Sequence, residues 1–322
     1  MNRSEFKNKK CFYAFISKRL KKMFYLIFLL IMLAFVGVGI YGYLNGVMAP
    51  PYDPQKMTLN YERIGNGSKK IILLHGLTGS LNYWKRGLEE ISDSYSLLLI
   101  DLLGFGGSPK PNSKYGLEEH LGAIEKAIIK EGFDSGGAII VGHSLGAILA
   151  IGLAAKRPQW FQGLTVIGLP VYQGKEAIKR KFSKLSLWDG LTVDSRYKFV
   201  CFFHPLYMTE WFRPENVPKD VFRDAAKHTW VSYYRTLDEI ILNTNLTQLA
   251  SQIKDKKILF IHGEKDTAAP IENAEKLASV FTNAKFERLP DADHQIFLAA
   301  PEKVWSLAFE YFWPYQLQKV KE

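Results

Sequence analysis

An uncharged apolar run near the N-terminus constrains this chain more than any other feature. Residues 23–44 read MFYLIFLLIMLAFVGVGIYGYL, and none of them is charged. An α-helix rises 1.5 Å per residue, so this run would reach roughly 33 Å, which is enough to cross the hydrocarbon core of a bilayer. Val47 and Ala49 resemble a signal-peptidase site, but Pro50 follows directly and disfavours cleavage there. We therefore predict an uncleaved transmembrane helix over residues 23–44.

The charge of the chain is concentrated before this run. Residues 1–22 carry eight Lys or Arg against one acidic residue, Glu5, and so supply +7 of the formal net charge of +10. By the positive-inside rule, this basic tail is predicted to be cytoplasmic and the rest of the chain to lie on the extracytoplasmic side. The remainder is nearly balanced, which argues against nucleic acid as a partner. Residues 45–56 contain three prolines and are predicted to form a stiff linker.

The two cysteines allow few structural roles. Cys11 and Cys201 lie on opposite sides of the apolar run and could form at most one bridge, so a disulfide framework is excluded. Neither residue is interpreted as having metal-ligand spacing. Both are predicted to be small apolar side chains, and no metal site is expected.

From residue 57 onward, short β-rich runs alternate with helical patterns, which indicates βα units around a parallel sheet. Most of the strand candidates are continuous Ile, Leu and Val, which is typical of strands buried on both faces. The strand candidates are 70–75, 95–101, 138–142, 163–168, 257–262 and 285–289. The helix candidates are 81–91, 117–129, 145–155, 271–281 and 302–312.

One interval, residues 171–253, breaks the alternation and is predicted to be a helical insertion. It could use its many aromatic side chains for a small core of its own, or some of them could line a pocket for an apolar substrate. These aromatic residues are Phe182, Trp188, Tyr197, Phe199, Phe202, Phe203, Tyr207, Trp211, Phe212, Trp230, Tyr233 and Tyr234. The insertion also carries a basic cluster, interpreted as a solvated helix face or, alternatively, a contact for anionic lipid: Lys175, Lys179, Arg180, Lys181 and Lys184.

A nucleophile elbow is predicted around Ser144. The segment Gly142-His143-Ser144-Leu145-Gly146 lies between a strand and a helix, which is the context that this motif requires. The serine occupies a strained turn, and the two glycines remove side chains that would collide with the neighbouring elements.

A serine nucleophile needs a histidine base and a carboxylate that orients it. Asp266 follows a predicted strand and His294 follows the last one, so the chain order is Ser, Asp, His. Glu264, Asp291 and Asp293 remain alternatives to Asp266.

Two backbone N–H groups are expected to bind the developing oxyanion. Leu145 would supply one of them, and Leu77, in the glycine-rich loop ILLHGLTGS, the other. A second glycine-rich loop, residues 101–108, lacks the residues of a phosphate-binding loop and is interpreted as a structural turn.

In this order, HGLTG, DLLGFGGS, GHSLGA, HGEKD and DADH resemble the α/β-hydrolase superfamily. The resemblance implies an α/β-hydrolase fold with its core in residues 57–170 and 254–322 and a cap or lid in residues 171–253. It implies hydrolysis of an ester, thioester, amide or C–C bond through an acyl-serine intermediate, without a cofactor. Ser144 argues against dehalogenases and epoxide hydrolases, which carry an aspartate at that position. The architecture is also similar to membrane-anchored monoacylglycerol lipases.

The leading hypothesis is a membrane-anchored serine esterase or lipase, with a small-molecule or lipid ester as substrate. A C–C bond hydrolase, a peptidase or a cofactor-free haloperoxidase on the same scaffold is the alternative. A catalytically silent binding protein is a third possibility, against which the predicted set of nucleophile, acid, base and oxyanion donors argues.

Overall fold

The computed structural model describes residues 3–88, 94–172, 174–185 and 193–314. It begins with one long helix, α1 (Arg3–Val47), which contains the predicted apolar run. Within the described residues, the part from Arg19 to Val47 is the only helix both long and apolar enough to cross a membrane. By length and composition this segment fits either a membrane anchor or a signal sequence.

The main body is built on a seven-stranded sheet with the order β1-β3-β2-β4-β5-β6-β7. Only β1 is antiparallel, to β3, and the other neighbouring pairs are parallel. The strands are β1 (Tyr61–Ile64), β2 (Lys69–Leu74), β3 (Tyr95–Ile100), β4 (Ala138–His143), β5 (Phe161–Ile167), β6 (Lys257–Gly263) and β7 (Asn283–Leu289). Because the order reverses between β2 and β4, their carboxyl ends open a crevice of the kind in which ligands bind.

Helices cover both faces of the sheet, as the continuous apolar strands predicted. Ile72 and Leu74 of β2 pack into one buried cluster, whereas Ile71 and Leu73 pack into a second cluster on the opposite face. The covering helices are α2 (Leu117–Lys130), α3 (Leu145–Lys156), α10 (Ile271–Ala278), α11 (Ile296–Ala299) and α12 (Pro301–Phe312). The mostly parallel α/β architecture predicted from the sequence is confirmed.

Two elements differ from the sequence-based expectation. The edge strand β1 was missed, because its sequence YERI is short and half of its residues are charged. A helix was predicted over 81–91, but the chain forms one 3₁₀ turn, Leu81–Trp84, and residues 89–91 lie outside the described residues. Other 3₁₀ turns are Pro158–Trp160, Ser195–Tyr197 and Glu210–Phe212.

The interval 171–253 contains helices and no strand among its described residues. These helices are α4 (Lys175–Leu185), α5 (Phe199–Phe202), α6 (His204–Tyr207), α7 (Lys219–Ala225), α8 (Trp230–Thr236), a π-helical turn (Leu237–Ile241) and α9 (Leu246–Ser251). Of its aromatic residues, Trp230 and Tyr234 are buried, Trp211 and Phe212 are exposed, and Trp188 lies outside the described residues. In the basic cluster, Arg180 is exposed and Lys181 is half-buried; the side chains of Lys175, Lys179 and Lys184 are outside the description.

Candidate active site

Ser144 occupies a strained turn between β4 and α3. Its backbone angles are φ 53° and ψ −114°, a conformation that costs a non-glycine residue about 1–3 kcal/mol. A Cβ atom at Gly142 would meet the backbone of Gly146, and a Cβ atom at Gly146 would meet the carbonyl of Leu74. Both glycines are therefore required for the turn to fit between its strand and its helix.

The side chain of His294 lies within hydrogen-bond distance of both Ser144 and Asp266. Nε2 of His294 lies 3.0 Å from Oγ of Ser144, and Nδ1 of His294 lies 2.8 Å from Oδ2 of Asp266. With the proton on Nδ1, the ring donates to the carboxylate and leaves Nε2 free to accept the serine proton. This is the arrangement that a serine nucleophile and its base require.

The Asp266 carboxylate is held in place by several donors. Its Oδ1 accepts the N–H groups of Ala268 at 2.8 Å and Ala269 at 2.7 Å, and Nε2 of His262 lies 3.4 Å from Oδ2. Burial by itself would raise the pKa of this carboxyl, but the hydrogen bonds from His262 and His294 outweigh burial and hold the pKa well below its usual range. Asp266 is therefore ionised at neutral pH.

The other candidate acids face elsewhere. Asp291 is 94% exposed and pairs with Lys265, whereas Glu264 lies 3.8 Å from Arg288. Asp293 is exposed and accepts the backbone N–H of Gln295.

His143 supports the backbone of His294. Its Nε2 lies 2.8 Å from the carbonyl oxygen of His294, and its ring stacks on Tyr83 with centroids 4.8 Å apart. Burial, followed by the neighbouring charge of His294, lowers the pKa of His143 to about 3, so the ring is neutral and donates from Nε2. The elbow motif predicts the position of His143 but does not indicate this role.

The loop after β2 approaches Ser144 closely. A Cβ atom at Gly76 would lie 3.2 Å from Cβ of Ser144, so a larger residue would push this loop away. His75 fixes the loop because its Nδ1 lies 2.7 Å from the carbonyl of Gly76 and its Nε2 accepts the N–H of Leu102 at 2.9 Å. Leu77, in the same loop, lines the cavity that contains Ser144.

Leu145 is the first residue of α3, a position whose N–H has no acceptor within the helix.

The glycine-rich loop after β3 is held in place by Asp101, its first residue. Asp101 accepts the N–H groups of Leu81 at 2.6 Å and Gly107 at 2.7 Å, while Ser108 donates to the carbonyl of Asp101. These contacts give the loop a structural role.

Three histidines that support the site could have been found in the sequence. His75 follows β2, His143 ends β4 and His262 lies near the end of β6, and all three strands are parallel. Carboxyl ends of parallel strands meet at one edge, so a histidine at each end marks that edge.

A cavity of about 330 Å³ joins this edge to the helical interval. Ser144 and His294 line this cavity, together with Leu77. The helical interval contributes apolar side chains to the lining: Ile178, Phe182, Val193, Val221, Phe222, Leu237 and Ile241. A cavity with one reactive end and apolar walls suits a substrate with a hydrocarbon part.

Cys201, His204 and His228 form a cluster that the sequence analysis missed. The Cys201 sulfur lies 3.8 Å from Nδ1 of His204 and 3.4 Å from Nε2 of His228, so the spacing Cys-x₂-His is of a metal-ligand type after all. However, both ring nitrogens of His204 face carbonyl oxygens, at 2.6 Å and 2.9 Å. Burial also raises the pKa of the Cys201 thiol to about 12. Because both ring nitrogens of His204 already contact carbonyl oxygens, we interpret the cluster as a structural group of polar contacts and not as a metal site.

Known proteins are similar to this chain in sequence. A family model described as alpha/beta hydrolase fold matches residues 69–301. The chain is 28% identical over 276 residues to probable lysophospholipase BODYGUARD 1 of Arabidopsis thaliana, covering 76% of this chain and 59% of that protein. It therefore spans less than two thirds of the length of that relative. It is also 24% identical over 260 residues to 2-(acetamidomethylene)succinate hydrolase of Mesorhizobium japonicum, covering 78% of this chain and 90% of that protein.

Solved structures are similar in fold. An esterase from Exiguobacterium antarcticum superimposes with a TM-score of 0.63 at 18% identity, covering 79% of this chain and 95% of the esterase. A bromoperoxidase from Bacillus anthracis gives a TM-score of 0.62 at 18% identity, covering 79% of this chain and 94% of the bromoperoxidase.

Proposed function

The chain belongs to the α/β-hydrolase fold family, and from this premise we propose that it is a membrane-anchored serine hydrolase that cleaves an acyl ester. Ser144 is the nucleophile, His294 the general base and Asp266 the residue that orients the base. The observation that carries this proposal is the hydrogen-bonded chain from Ser144 through His294 to Asp266.

The reaction follows from the positions of these groups. Oγ of Ser144 attacks the ester carbonyl while its proton passes to Nε2 of His294. The N–H groups of Leu77 and Leu145 stabilise the negative oxygen of the tetrahedral intermediate. When the C–O bond breaks, His294 returns the proton to the departing alcohol and Ser144 keeps the acyl group. Water then loses a proton to His294 and attacks the carbonyl of the acyl-serine; when the bond to Oγ of Ser144 breaks, His294 returns this proton to Oγ and the acid is released.

An acyl ester is the substrate class that the apolar cavity supports best. A hydrocarbon chain can pack against the cavity wall, with Phe182, Phe222 and Leu237, while its ester carbonyl lies at Ser144. A relative named as a probable lysophospholipase supports a lipid ester. The similarity to the bromoperoxidase is at the level of fold and adds no evidence for that activity.

Anchoring is proposed through the apolar part of α1, with the basic tail in the cytoplasm and the catalytic domain on the other side. A protease added to intact cells that express the chain should digest the domain. If the domain is digested only after the cells are permeabilised, the proposed orientation is wrong.

A fluorophosphonate probe tests the nucleophile. The wild-type protein should be labelled, whereas the matched variant Ser144→Ala should not be, because the probe reacts with an activated serine. Ester hydrolysis by this variant should fall on the order of 10⁶-fold. Ser113→Ala, at another buried serine, is the control and should keep the label. Labelling of Ser144→Ala equal to wild type would assign the nucleophile to another residue.

A further inference from the structure

The apolar helix α1 packs directly against the helical interval that covers the active site. Its glycines Gly39, Gly42 and Gly46 form a flat stripe in this contact. A Cβ atom at Gly39 would lie 2.7 Å from the ring of Phe203, and a Cβ atom at Gly42 would meet the carbonyl of Phe202. A Cβ atom at Gly46 would lie 2.5 Å from the Trp230 indole nitrogen. Small residues that let a helix approach its neighbour this closely are typical of packing inside membranes.

Aromatic contacts and one hydrogen bond extend this interface. The rings of Phe35 and Phe203 stack with centroids 4.3 Å apart, and Tyr43 stacks on Trp230. The indole N–H of Trp230 donates to the carbonyl of Tyr43 at 3.1 Å. The interface therefore extends along α1 from Phe35 to Gly46.

The position of this interface along α1 sets its depth in a bilayer. A helix needs about 20 residues to cross the hydrocarbon core, so a span that begins after Lys22 extends to about residue 42. Phe35 and Gly39 then lie within the second half of the span. Phe203, which contacts both of them, lies at a similar depth.

The segment 199–212 also exposes large apolar side chains. Phe199 is 52% exposed, Leu206 44%, Trp211 94% and Phe212 68%. Four such side chains within fourteen residues form an apolar surface beside the anchor, which marks a site of interaction with a partner or a membrane. Aromatic side chains in particular favour the boundary between lipid and water.

A second cavity, of about 530 Å³, lies beneath this surface. Val200, Tyr207, Met208 and Phe212 contribute to its lining. His204 and His228 also line it, and three of their four ring nitrogens lie 2.6 Å, 2.9 Å and 2.7 Å from backbone carbonyl oxygens. The fourth, Nε2 of His228, faces the Cys201 sulfur. Because most of the other lining side chains are apolar or aromatic, the cavity is suited to a hydrocarbon chain.

The second cavity adjoins the cavity that contains Ser144. Thr78, Pro214, Phe222 and Tyr233 line both of them and form their common wall. Phe212, which lines the second cavity, is also part of the exposed apolar surface. A series of adjoining spaces therefore runs from that surface to the nucleophile.

We propose that the segment 199–212 is embedded in the nearer leaflet of the bilayer and that a single-chain acyl lipid enters sideways from that leaflet, through the second cavity, to Ser144. The proposal rests on the anchor and the nucleophile of the proposed function. It adds a membrane-docking surface and a route for the substrate. The ligand of the second cavity is the acyl chain, and the ester carbonyl lies at Ser144.

A depth measurement tests the docking surface without using activity. In the full-length chain with Cys11→Ser, Trp211→Cys carries an environment-sensitive fluorophore, and the protein is reconstituted in phosphatidylcholine vesicles that contain nitroxide-labelled lipid. Ile129→Cys is the control, because Ile129 is 52% exposed but lies on α2 of the core. We expect strong quenching at position 211 and little at 129. Equal, weak quenching at both positions would overturn the docking surface.

A comparison of two substrates tests the route. We expect Phe199→Asp with Trp211→Asp to lower the ratio of 1-oleoylglycerol hydrolysis in vesicles to p-nitrophenyl acetate hydrolysis in solution at least ten-fold, and Ile129→Asp to leave it unchanged. Met208→Trp, which fills the second cavity, should lower the same ratio. An unchanged ratio in both variants would overturn the route. If the fluorophosphonate probe did not label the wild-type protein, that result would instead contradict the proposed function.

Discussion

The sheet edge around Ser144 and the helical interval above it are held together in different ways. At the sheet edge, polar side chains pair across long stretches of chain; Ser144 and His294, for example, are 150 residues apart. In the interval, the helices α5 to α8 have only four to seven residues, and two of them, α5 and α8, contact α1 through aromatic rings. Directional bonds on rigid strands fix reacting atoms, whereas apolar packing tolerates rearrangement.

This difference predicts how substitutions in each region should affect activity. Substitutions at the sheet edge should change the rate for every ester, because they alter the reacting geometry. Substitutions in the interval should change stability or the choice of substrate and leave the chemistry intact.

Asp266→Asn should have the largest effect in this comparison. The amide cannot hold His294 in the required tautomer, so kcat should fall on the order of 10⁴-fold for soluble and lipid esters alike. Asp293→Asn is the matched control, since Asp293 is exposed and bonds only locally, and it should keep near-normal kcat. Comparable losses in both variants would reopen the choice of acid.

Gly76→Ala should have the next largest effect. The added methyl group would press on Ser144 and His143 and displace the loop that carries Leu77, and loss of one oxyanion donor costs about 10²–10³-fold in kcat. Gly122→Ala in α2 has open space around it and should stabilise the helix by roughly 0.5–1 kcal/mol without changing kcat. Steady-state kinetics and urea unfolding measure the two effects. A normal kcat for Gly76→Ala would exclude this loop from catalysis.

The smallest expected effect is in the interval, at His228. Burial, followed by the neighbouring charge of His204, lowers the pKa of His228 from 6.5 to about 3. A base whose folded pKa is depressed contributes stability that is complete above its unfolded pKa and is lost as the pH falls toward its folded pKa. Below about pH 6.5, this one proton should steepen the fall of the unfolding free energy by up to ~1.4 kcal/mol per pH unit.

His228→Phe should remove this contribution, so urea unfolding between about pH 7 and pH 4 should show a shallower pH dependence than wild type. The kcat for p-nitrophenyl acetate should stay near the wild-type value at neutral pH. An unchanged pH dependence would mean that His228 is solvated in the folded protein.

Local sequence patterns predicted most of the fold. Six of the seven strands were found because runs such as IILL and AIIV need no distant partner to be recognised. The edge strand β1 and the short turn Leu81–Trp84 were not found, since neither has a repeat of apolar residues long enough to identify its secondary structure.

The sequence by itself determined the α/β core, the strained turn at Ser144 and the apolar helix, because glycine placement, periodicity and the absence of charge act over a few residues. Only the tertiary structure decided which carboxylate meets His294, that His75, His143 and His262 support the site, and that α1 packs against the interval 171–253. These contacts join residues far apart in the chain, and their distances depend on how all the strands and helices pack together.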